Sequence, residues 1–130
     1  MGRKARHLAN KEIIKVLAER YPESFFVIPY KVVPLVHDIV HELFADLGHI
    51  PKEYKNSLRR AIYQYKSSAA YLQSVAFGEY RRNLAGNRIV RTSVSEREEA
   101  RAQLKERGVW TRRMELLFKV NMGRKEASNR

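Results

Sequence analysis

The chain has 130 residues, the size of a single domain, and 44% of them are hydrophobic, so a packed core is expected and wholesale disorder is excluded. It carries 26 Lys and Arg against 14 Asp and Glu, a formal charge of +12. It has no cysteine, which excludes disulfides, thiolate metal sites and cysteine nucleophiles. No apolar run approaches the ~20 residues of a membrane span. We therefore expect a cytoplasmic protein without a membrane partner, whose basic surface binds polyanions.

The spacing of apolar residues predicts a mainly α fold of the α+β class, with five to six helices and one small β-hairpin. Residues 1–9 are expected to form a basic flexible arm, residues 10–122 the folded domain and residues 123–130 a polar tail. Asn10 is a suitable N-cap for the first helix, and Pro34 fits the first turn of the second.

A third helix is predicted to open at Pro51, in the most basic part of the chain. Its apolar stripe comprises Tyr54, Leu58, Ala61, Ile62 and Tyr65. A second row on another face is mostly basic and comprises Lys52, Lys55, Arg59, Tyr63 and Lys66. Cations about one turn apart can follow a phosphate backbone, and Glu53 is the only acid in this helix. The row therefore indicates nucleic-acid contact, and the alternative is an ordinary solvated face.

The start of a short fourth helix is a second candidate site. Ser67 or Ser68 is expected to cap it, and a helix N-terminus attracts phosphate through its unpaired N–H groups. Lys66 adds positive charge there, and Tyr71 offers a ring for stacking or a hydroxyl for hydrogen bonding. The alternative is a commonplace serine cap with Tyr71 in the core.

Two short strands, Tyr80–Leu84 and Arg88–Thr92, are predicted to pair through a turn at 85–87, where Gly and Asn can take positive φ. Because side chains alternate along a strand, Arg81 and Arg82 lie on opposite faces. One of the two arginines should face a ligand, and the pattern does not choose between them.

The last third of the chain predicts two more helices. Ser95 and Glu98 fit a capping box at the start of the fifth. The sixth is expected to bury Met114, Leu117 and Val120.

His37 and His41 are spaced as a metal-binding pair on the second helix. No Glu follows His37 as in metalloprotease helices, and the sequence has no glycine-rich phosphate loop or nucleophile elbow. We therefore expect no metal site and no cofactor, and we expect that the protein is not an enzyme.

The segment Ser57–Leu72 resembles the core signature of the ProQ/FinO family of bacterial RNA chaperones. It reads Leu-Arg-x-Ala, an apolar residue, two further residues, Tyr-x-Ser-Ser, two more residues and Tyr-Leu. The pattern continues into the hairpin, where Leu84, Gly86 and Asn87 match the family's Leu-x-Gly-Asn turn. Upstream, Leu17–Phe25 is similar to the family's opening, so that the resemblance extends over about residues 10–108.

The resemblance implies a compact, mostly helical fold with a small hairpin. It also implies that the protein acts as an RNA chaperone. It implies binding of structured RNAs with a stem and a 3′ single-stranded U-rich tail, as in intrinsic terminators. The partners would then be small regulatory RNAs and mRNA 3′ ends, in post-transcriptional regulation. We expect the protein to act as a monomer.

The residues expected to contact RNA come from the basic row, the fourth-helix start, the hairpin and this resemblance. They are Lys31, Lys52, Lys55, Arg59, Tyr63, Lys66, Ser67, Ser68, Tyr71, Arg81 and Arg82. The resemblance implies that Arg59 contacts phosphate, that Tyr71 lies in a pocket and that the serine cap holds the RNA 3′ end. The chain departs from the family at Tyr63, where an arginine is usual, and Lys66 compensates for that charge.

Two other functions fit the same sequence. The third and fourth helices also fit a helix-turn-helix that binds duplex DNA. A basic protein-interaction module, in which the surface charge is incidental, is the second alternative. A preference for RNA hairpins with a free 3′ end would exclude the DNA-binding function.

Overall fold

Six α-helices and one two-stranded antiparallel sheet form the described part of the chain, residues 2–128, in a computed structural model with side chains described through Gly123. The elements follow in the order α1 (Arg3–Arg20), a 3-10 turn η1 (Pro29–Lys31), α2 (Ile39–Leu47), α3 (Lys52–Lys66), α4 (Ala69–Ala76), β1 (Tyr80–Arg82), β2 (Arg88–Arg91), α5 (Val94–Glu106) and α6 (Arg112–Ser128). This architecture confirms the expected mainly α fold with one small hairpin.

Every helix contributes side chains to one hydrophobic core. α1 packs against α3, and α4 packs against α5. The buried side chains include Leu17 of α1, Leu43 of α2, Ile62 of α3, Leu72 of α4, Leu104 of α5 and Phe118 of α6. Full burial of an apolar side chain of this size is worth roughly 1.5–3 kcal/mol, so this cluster is the main source of stability.

α1 begins at Arg3, well before the expected cap at Asn10, so residues 3–9 are helical rather than a flexible arm. The reason is a tertiary contact with α3. Asn10 Nδ2 donates to Gln64 Oε1 at 2.9 Å, and Gln64 Nε2 donates to the His7 carbonyl at 3.3 Å. These bonds hold the early turns of α1 in place, and no local sequence pattern reports them.

α2 begins at Ile39, so Pro34 lies outside it rather than in its first turn. The chain from Pro34 to Val36 pairs with the hairpin instead. The Arg82 N–H donates to the Pro34 carbonyl at 2.8 Å, and the Val36 N–H donates to the Arg82 carbonyl at 2.9 Å. A non-local pairing thus replaces the expected helical turn.

The capping box of α5 uses Ser93 and Glu96, two residues earlier than the expected pair Ser95 and Glu98. Ser93 Oγ accepts from the Glu96 N–H at 3.1 Å, and the Ser93 N–H donates to Glu96 Oε1 at 2.8 Å. Both pairs fit the same sequence pattern. The pair that forms in the structure is the one whose carboxylate, that of Glu96, also contacts Arg81 of β1.

α6 buries Phe118, whereas Leu117 and Val120, expected to be buried, are exposed. The Phe118 ring packs edge-on against Trp110, with 5.9 Å between ring centroids. The helix continues to Ser128, through residues expected to form a polar tail. Tyr54 of α3 is likewise exposed rather than part of the buried stripe.

Within residues 2–128, no helix is long and apolar enough to cross a membrane. Among the described side chains, those of residues 2–123, His, Asp and Glu also form no group of three or more that could hold a metal ion. His37, one of the two histidines considered for a metal, lies with its Nε2 3.1 Å from Glu96 Oε2.

Gly86 allows the hairpin turn to pack against the segment that follows α1. Its φ is +88°, and a Cβ at this position would lie 2.3 Å from the Cβ of Glu23. Asn87 does not share this conformation, because every positive-φ residue in the described chain is a glycine. The turn therefore requires glycine at one position for two separate reasons.

We expect Gly86→Ala to lower the free energy of unfolding by about 1–3 kcal/mol, because alanine is strained at positive φ and its Cβ displaces Glu23. Gly123→Ala is the matched control, since it lies inside α6 and no neighbour among the described side chains comes within 4 Å of its new methyl group. The control should leave stability unchanged or raise it by up to ~1 kcal/mol. Urea denaturation measures both, and equal midpoints for the two variants would contradict the assignment.

Candidate nucleic-acid interface

Basic side chains lie on the solvent side of α3, and an aromatic ring of α2 positions two of them. Lys55 Nζ lies 5.5 Å from the centroid of the Phe44 ring, and the Arg59 guanidinium carbon lies 5.0 Å from it. Cation–π contacts at this distance are attractive. Lys52 at the start of α3 is exposed, and Tyr63 is 76% exposed.

The positive charge of this face is not neutralised within the described chain. Among residues 2–123, no Asp or Glu lies within 4 Å of a Lys or Arg nitrogen of α3. Arg59 Nη1 donates to Asn56 Oδ1 and Arg60 Nη2 to Ser57 Oγ, each at 3.3 Å. Both acceptors are neutral, so the cations remain available to an anionic ligand.

A groove runs between α1 and α3 beside these cations, and we call it the α1–α3 groove. Its volume is about 610 Å³, and its lining includes Asn10, Arg59, Arg60, Tyr63 and Gln64. On the α1 side the groove is lined by Asn10, and on the α3 side by Arg59, Arg60, Tyr63 and Gln64. An extended anionic chain could therefore lie against two helices rather than one.

α1 contributes a second row of exposed basic side chains that the sequence analysis missed. The row comprises Lys4, His7, Lys11 and Lys15, at intervals of three, four and four residues. The same intervals separate Lys52, Lys55, Arg59 and Tyr63 on α3. This repeated helical spacing is the signal that would have identified the row.

Ser68 caps α4, as expected for one of the two serines. Its Oγ accepts from the Tyr71 N–H at 3.2 Å and donates to the Tyr65 carbonyl at 2.8 Å. Ser67 belongs to the end of α3, where its Oγ donates to the Tyr63 carbonyl at 2.8 Å. Both serines are half-buried at the junction of the two helices.

Tyr71 and Arg81 lie together in the interior, 5% and 6% exposed respectively. The Tyr71 hydroxyl accepts from the Leu35 N–H at 3.0 Å and from Arg81 Nη1 at 3.4 Å. Arg81 Nη1 also donates to the Leu35 carbonyl at 2.8 Å, and its Nη2 pairs with Glu96 Oε2 at 2.7 Å. Burial raises the pKa of Tyr71. Both side chains therefore lie beneath the start of α4 and bind it to the chain at Leu35.

Arg82, the other hairpin arginine, turns toward the tip of the hairpin. Its Nη1 donates to the Gly86 carbonyl at 3.1 Å, while its buried Nε has no protein partner in the described chain. Lys66 is half-buried, and burial lowers its pKa, with the nearby charge of Arg81 acting in the same direction. Lys31 is exposed on η1.

The structure thus places the expected RNA-binding residues in five parts of the fold. Lys52, Lys55, Arg59 and Tyr63 share the outer face of α3, and Lys66, Ser67 and Ser68 follow at its junction with α4. Tyr71 and Arg81 lie beneath that junction, and Arg82 lies in the hairpin. Lys31 is on the separate turn η1, which packs against α4.

The ionisation of Glu96 makes the stability that this interior cluster contributes depend on pH. Burial opposes its ionisation, but the Ser93 N–H and the charge and hydrogen bond of Arg81 outweigh that effect and lower the pKa of Glu96 from 4.5 to about 2. A carboxyl group whose pKa is lowered by folding stabilises the folded state at pH values above its unfolded-state pKa. That contribution is lost as the pH falls from about 4.5 toward 2.

We expect Glu96→Gln to be less stable than the parent near neutral pH, because it leaves the buried Arg81 without an anionic partner. The difference in unfolding free energy should shrink as the pH falls below about 4.5, where the parent begins to lose the same ion pair. Urea denaturation at several pH values measures it. Glu98→Gln, at an exposed position of the same helix, is the control, and a pH-independent difference for Glu96→Gln would contradict the assignment.

These features define a small basic domain in which an uncompensated row of cations borders a groove between two helices. The model of the ProQ/FINO family matches residues 8–115. The chain belongs to the ProQ/FinO family, which confirms the resemblance found in the sequence.

Curated relatives with the name RNA chaperone ProQ match about three quarters of the chain. The protein from Aliivibrio fischeri strain MJ11 is 38% identical over 100 residues, 76% of this chain and 48% of the relative. The protein from Idiomarina loihiensis is 34% identical over 97 residues, 75% of this chain and 46% of the relative. The chain therefore spans about half the length of the curated relatives it matches. Both relatives are named as RNA chaperones, in agreement with the expectation that the chain is not an enzyme.

Two solved structures are similar in fold. The solution structure of a ProQ homolog from Legionella pneumophila has a TM-score of 0.63 and 27% identity, covering 79% of this chain and 86% of that one. The crystal structure of a FinO-like RNA chaperone from Neisseria meningitidis has a TM-score of 0.56 and 18% identity, covering 71% and 89%. At 18% identity the second likeness concerns the fold alone.

Proposed function

We propose that this chain is an RNA-binding chaperone domain that recognises a hairpin followed by a single-stranded 3′ tail. Its partners would be small regulatory RNAs and mRNA 3′ ends in the cytoplasm, where it acts as a monomer in post-transcriptional regulation. The observation that carries this proposal is the unneutralised cation row of α3 beside the α1–α3 groove, in a chain whose curated relatives are named RNA chaperones.

The outer face of α3 contacts phosphates of the stem in this proposal. Lys52, Lys55 and Arg59 follow one another at helical spacing, and Phe44 holds the last two side chains in place. Phosphate contacts of this kind position a nucleic acid without reading its sequence. Tyr63 replaces an arginine expected from the family and offers an exposed ring instead of a charge.

The junction of α3 and α4 holds the RNA 3′ end in this proposal. Ser67 and Ser68 lie there half-buried, and the half-buried Lys66 adds a positive charge. Tyr71 and Arg81 act indirectly, because their hydrogen bonds to Leu35 hold α4 against the chain that precedes α2.

The burial of α4 argues against the helix-turn-helix alternative. A recognition helix must present one face to the major groove of DNA. In α4, Tyr71, Leu72, Ser74, Val75 and Ala76 are buried, and Ala69 is the only exposed residue. α4 therefore has no polar face that could read base edges, and RNA remains the better-supported ligand.

Binding to a terminator-like hairpin should depend strongly on salt, with a log–log slope of roughly −3 to −5 if about five phosphates are neutralised. Arg59→Ala should reduce that slope by about 1, and Arg59→Glu should weaken binding by about tenfold or more. Arg112→Glu makes the same charge change at an exposed position of α6 and is the control. Equal losses for the two charge reversals would show that α3 is not the binding face.

Recognition of the 3′ end requires one hairpin prepared in three forms: with a uridine tail ending in a 3′ hydroxyl, with the same tail ending in a 3′ phosphate, and without a tail. We expect the first form to bind most tightly, because a site built around a chain end excludes a bulky terminal group. Filter binding at fixed salt measures the three affinities. Equal affinity for all three forms would show that the protein follows stems through charge alone.

A further inference from the structure

The turn η1 presents an aromatic ring to solvent. Tyr30 is 84% exposed, although it lies between residues that fix the turn. Pro29 restricts the backbone before it, the Lys31 N–H donates to the Ile28 carbonyl at 3.0 Å, and Val32 is buried. A ring held this way on a small anchored turn is suited to stack with a ligand, since few of its own contacts must be given up.

Three neighbouring cavities connect the cations of α3 to this ring. The α1–α3 groove shares Gln64 and Ser67 with a second cavity of about 500 Å³, between α1, η1 and the start of α4. The second cavity shares Pro29, Val32 and Ala70 with a third of about 540 Å³. We call the three together the furrow, because each cavity shares lining residues with the next.

Tyr30 and Lys31 line the third cavity, with Gln73 of α4, Phe77 directly after α4 and the acidic Glu79 among the other lining residues. The far end of the furrow therefore offers an exposed ring, an exposed cation and the apolar side chain of Phe77. These are the groups that bind an unpaired nucleotide: the cation contacts its phosphate and the ring stacks on its base.

The composition of the furrow favours a single strand over a duplex. His7 and Lys11 stand at the side of the second cavity, whose other lining residues include the apolar Ile14, Phe26 and Val27. An unpaired strand can place its phosphates near the cations and its bases against the apolar residues. A duplex keeps its bases stacked inside, so no base face is free to contact the apolar lining.

The geometry points to a stacking site at Tyr30 for an unpaired base of the RNA tail, with Lys31 contacting an adjacent phosphate. This inference rests on the proposed binding of RNA with a single-stranded tail, and it adds the place where a tail base is held. The site lies on η1, apart from α3 and from the serine cap of α4.

The test compares the parent with Tyr30→Ala and Tyr30→Phe, using one hairpin with a uridine tail and the same hairpin without it. Tyr30→Ala should weaken binding of the tailed RNA by roughly 5- to 100-fold, the usual effect of losing one base–aromatic stack, and should leave the tailless RNA unaffected. Tyr30→Phe keeps the ring and should bind like the parent. Leu116→Ala removes another exposed apolar side chain, on α6, and is the control.

A second readout reports stacking directly. With 2-aminopurine replacing single tail bases in turn, its fluorescence should be quenched at one position on binding to the parent and to Tyr30→Phe, but not to Tyr30→Ala. An abasic nucleotide at that position should weaken RNA binding by the parent and leave RNA binding by Tyr30→Ala unaffected. The abasic nucleotide and the Tyr30→Ala substitution remove the same stacking contact, so their effects do not add.

The outcomes separate the two proposals. If the parent prefers the tailed RNA and Tyr30→Ala binds it equally well, the stacking site is wrong and the proposed function stands. If Tyr30→Ala weakens tailed and tailless RNA alike, Tyr30 does not hold a tail base, and the stacking site is again wrong. If the parent itself ignores the tail, the proposed function fails.

Discussion

A buried arginine joins the elements around which this domain is organised. Arg81 of β1 donates to the Leu35 carbonyl and pairs with Glu96 at the start of α5, while the Tyr71 hydroxyl of α4 lies within hydrogen-bond distance of the same guanidinium. A buried cation is stable only with such partners, so the hairpin, α4, α5 and the chain before α2 must be assembled together. Folding of the small hairpin is thereby tied to the orientation of α4, and through it to the helix junction that we propose as the site of the RNA 3′ end.

The two sides of α3 separate stability from binding. Ala61, Ile62 and Tyr65 face the core, and burial raises the pKa of Tyr65 to about 12, as expected for a hydroxyl within the fold. The opposite side carries cations without carboxylate partners in the described chain. An anionic ligand can therefore bind there without breaking contacts that stabilise the domain.

The sequence was sufficient for the features that depend on neighbouring residues. It predicted the fold class, the start of α3 after Pro51, a cap at Ser67 or Ser68 and the turn at Gly86, because apolar spacing, serine caps and glycine turns act locally. The remaining differences arise from contacts between distant parts of the chain. The start of α1 depends on Gln64, and the choice of Glu96 over Glu98 depends on Arg81. The candidate site follows the same division, since the basic row of α3 is visible in the sequence and the furrow that leads to η1 is not.

One ring on α2 has a consequence for the thermodynamics of ligand capture. Phe44 lies beneath both Lys55 and Arg59, two long side chains that lose rotamer freedom on contact with a phosphate. Their contact with the ring restricts those rotamers before any ligand arrives. Part of the conformational entropy that binding would otherwise cost is thus already lost during folding, and α2, which carries no Lys or Arg of its own, preorganises the charge of its neighbour.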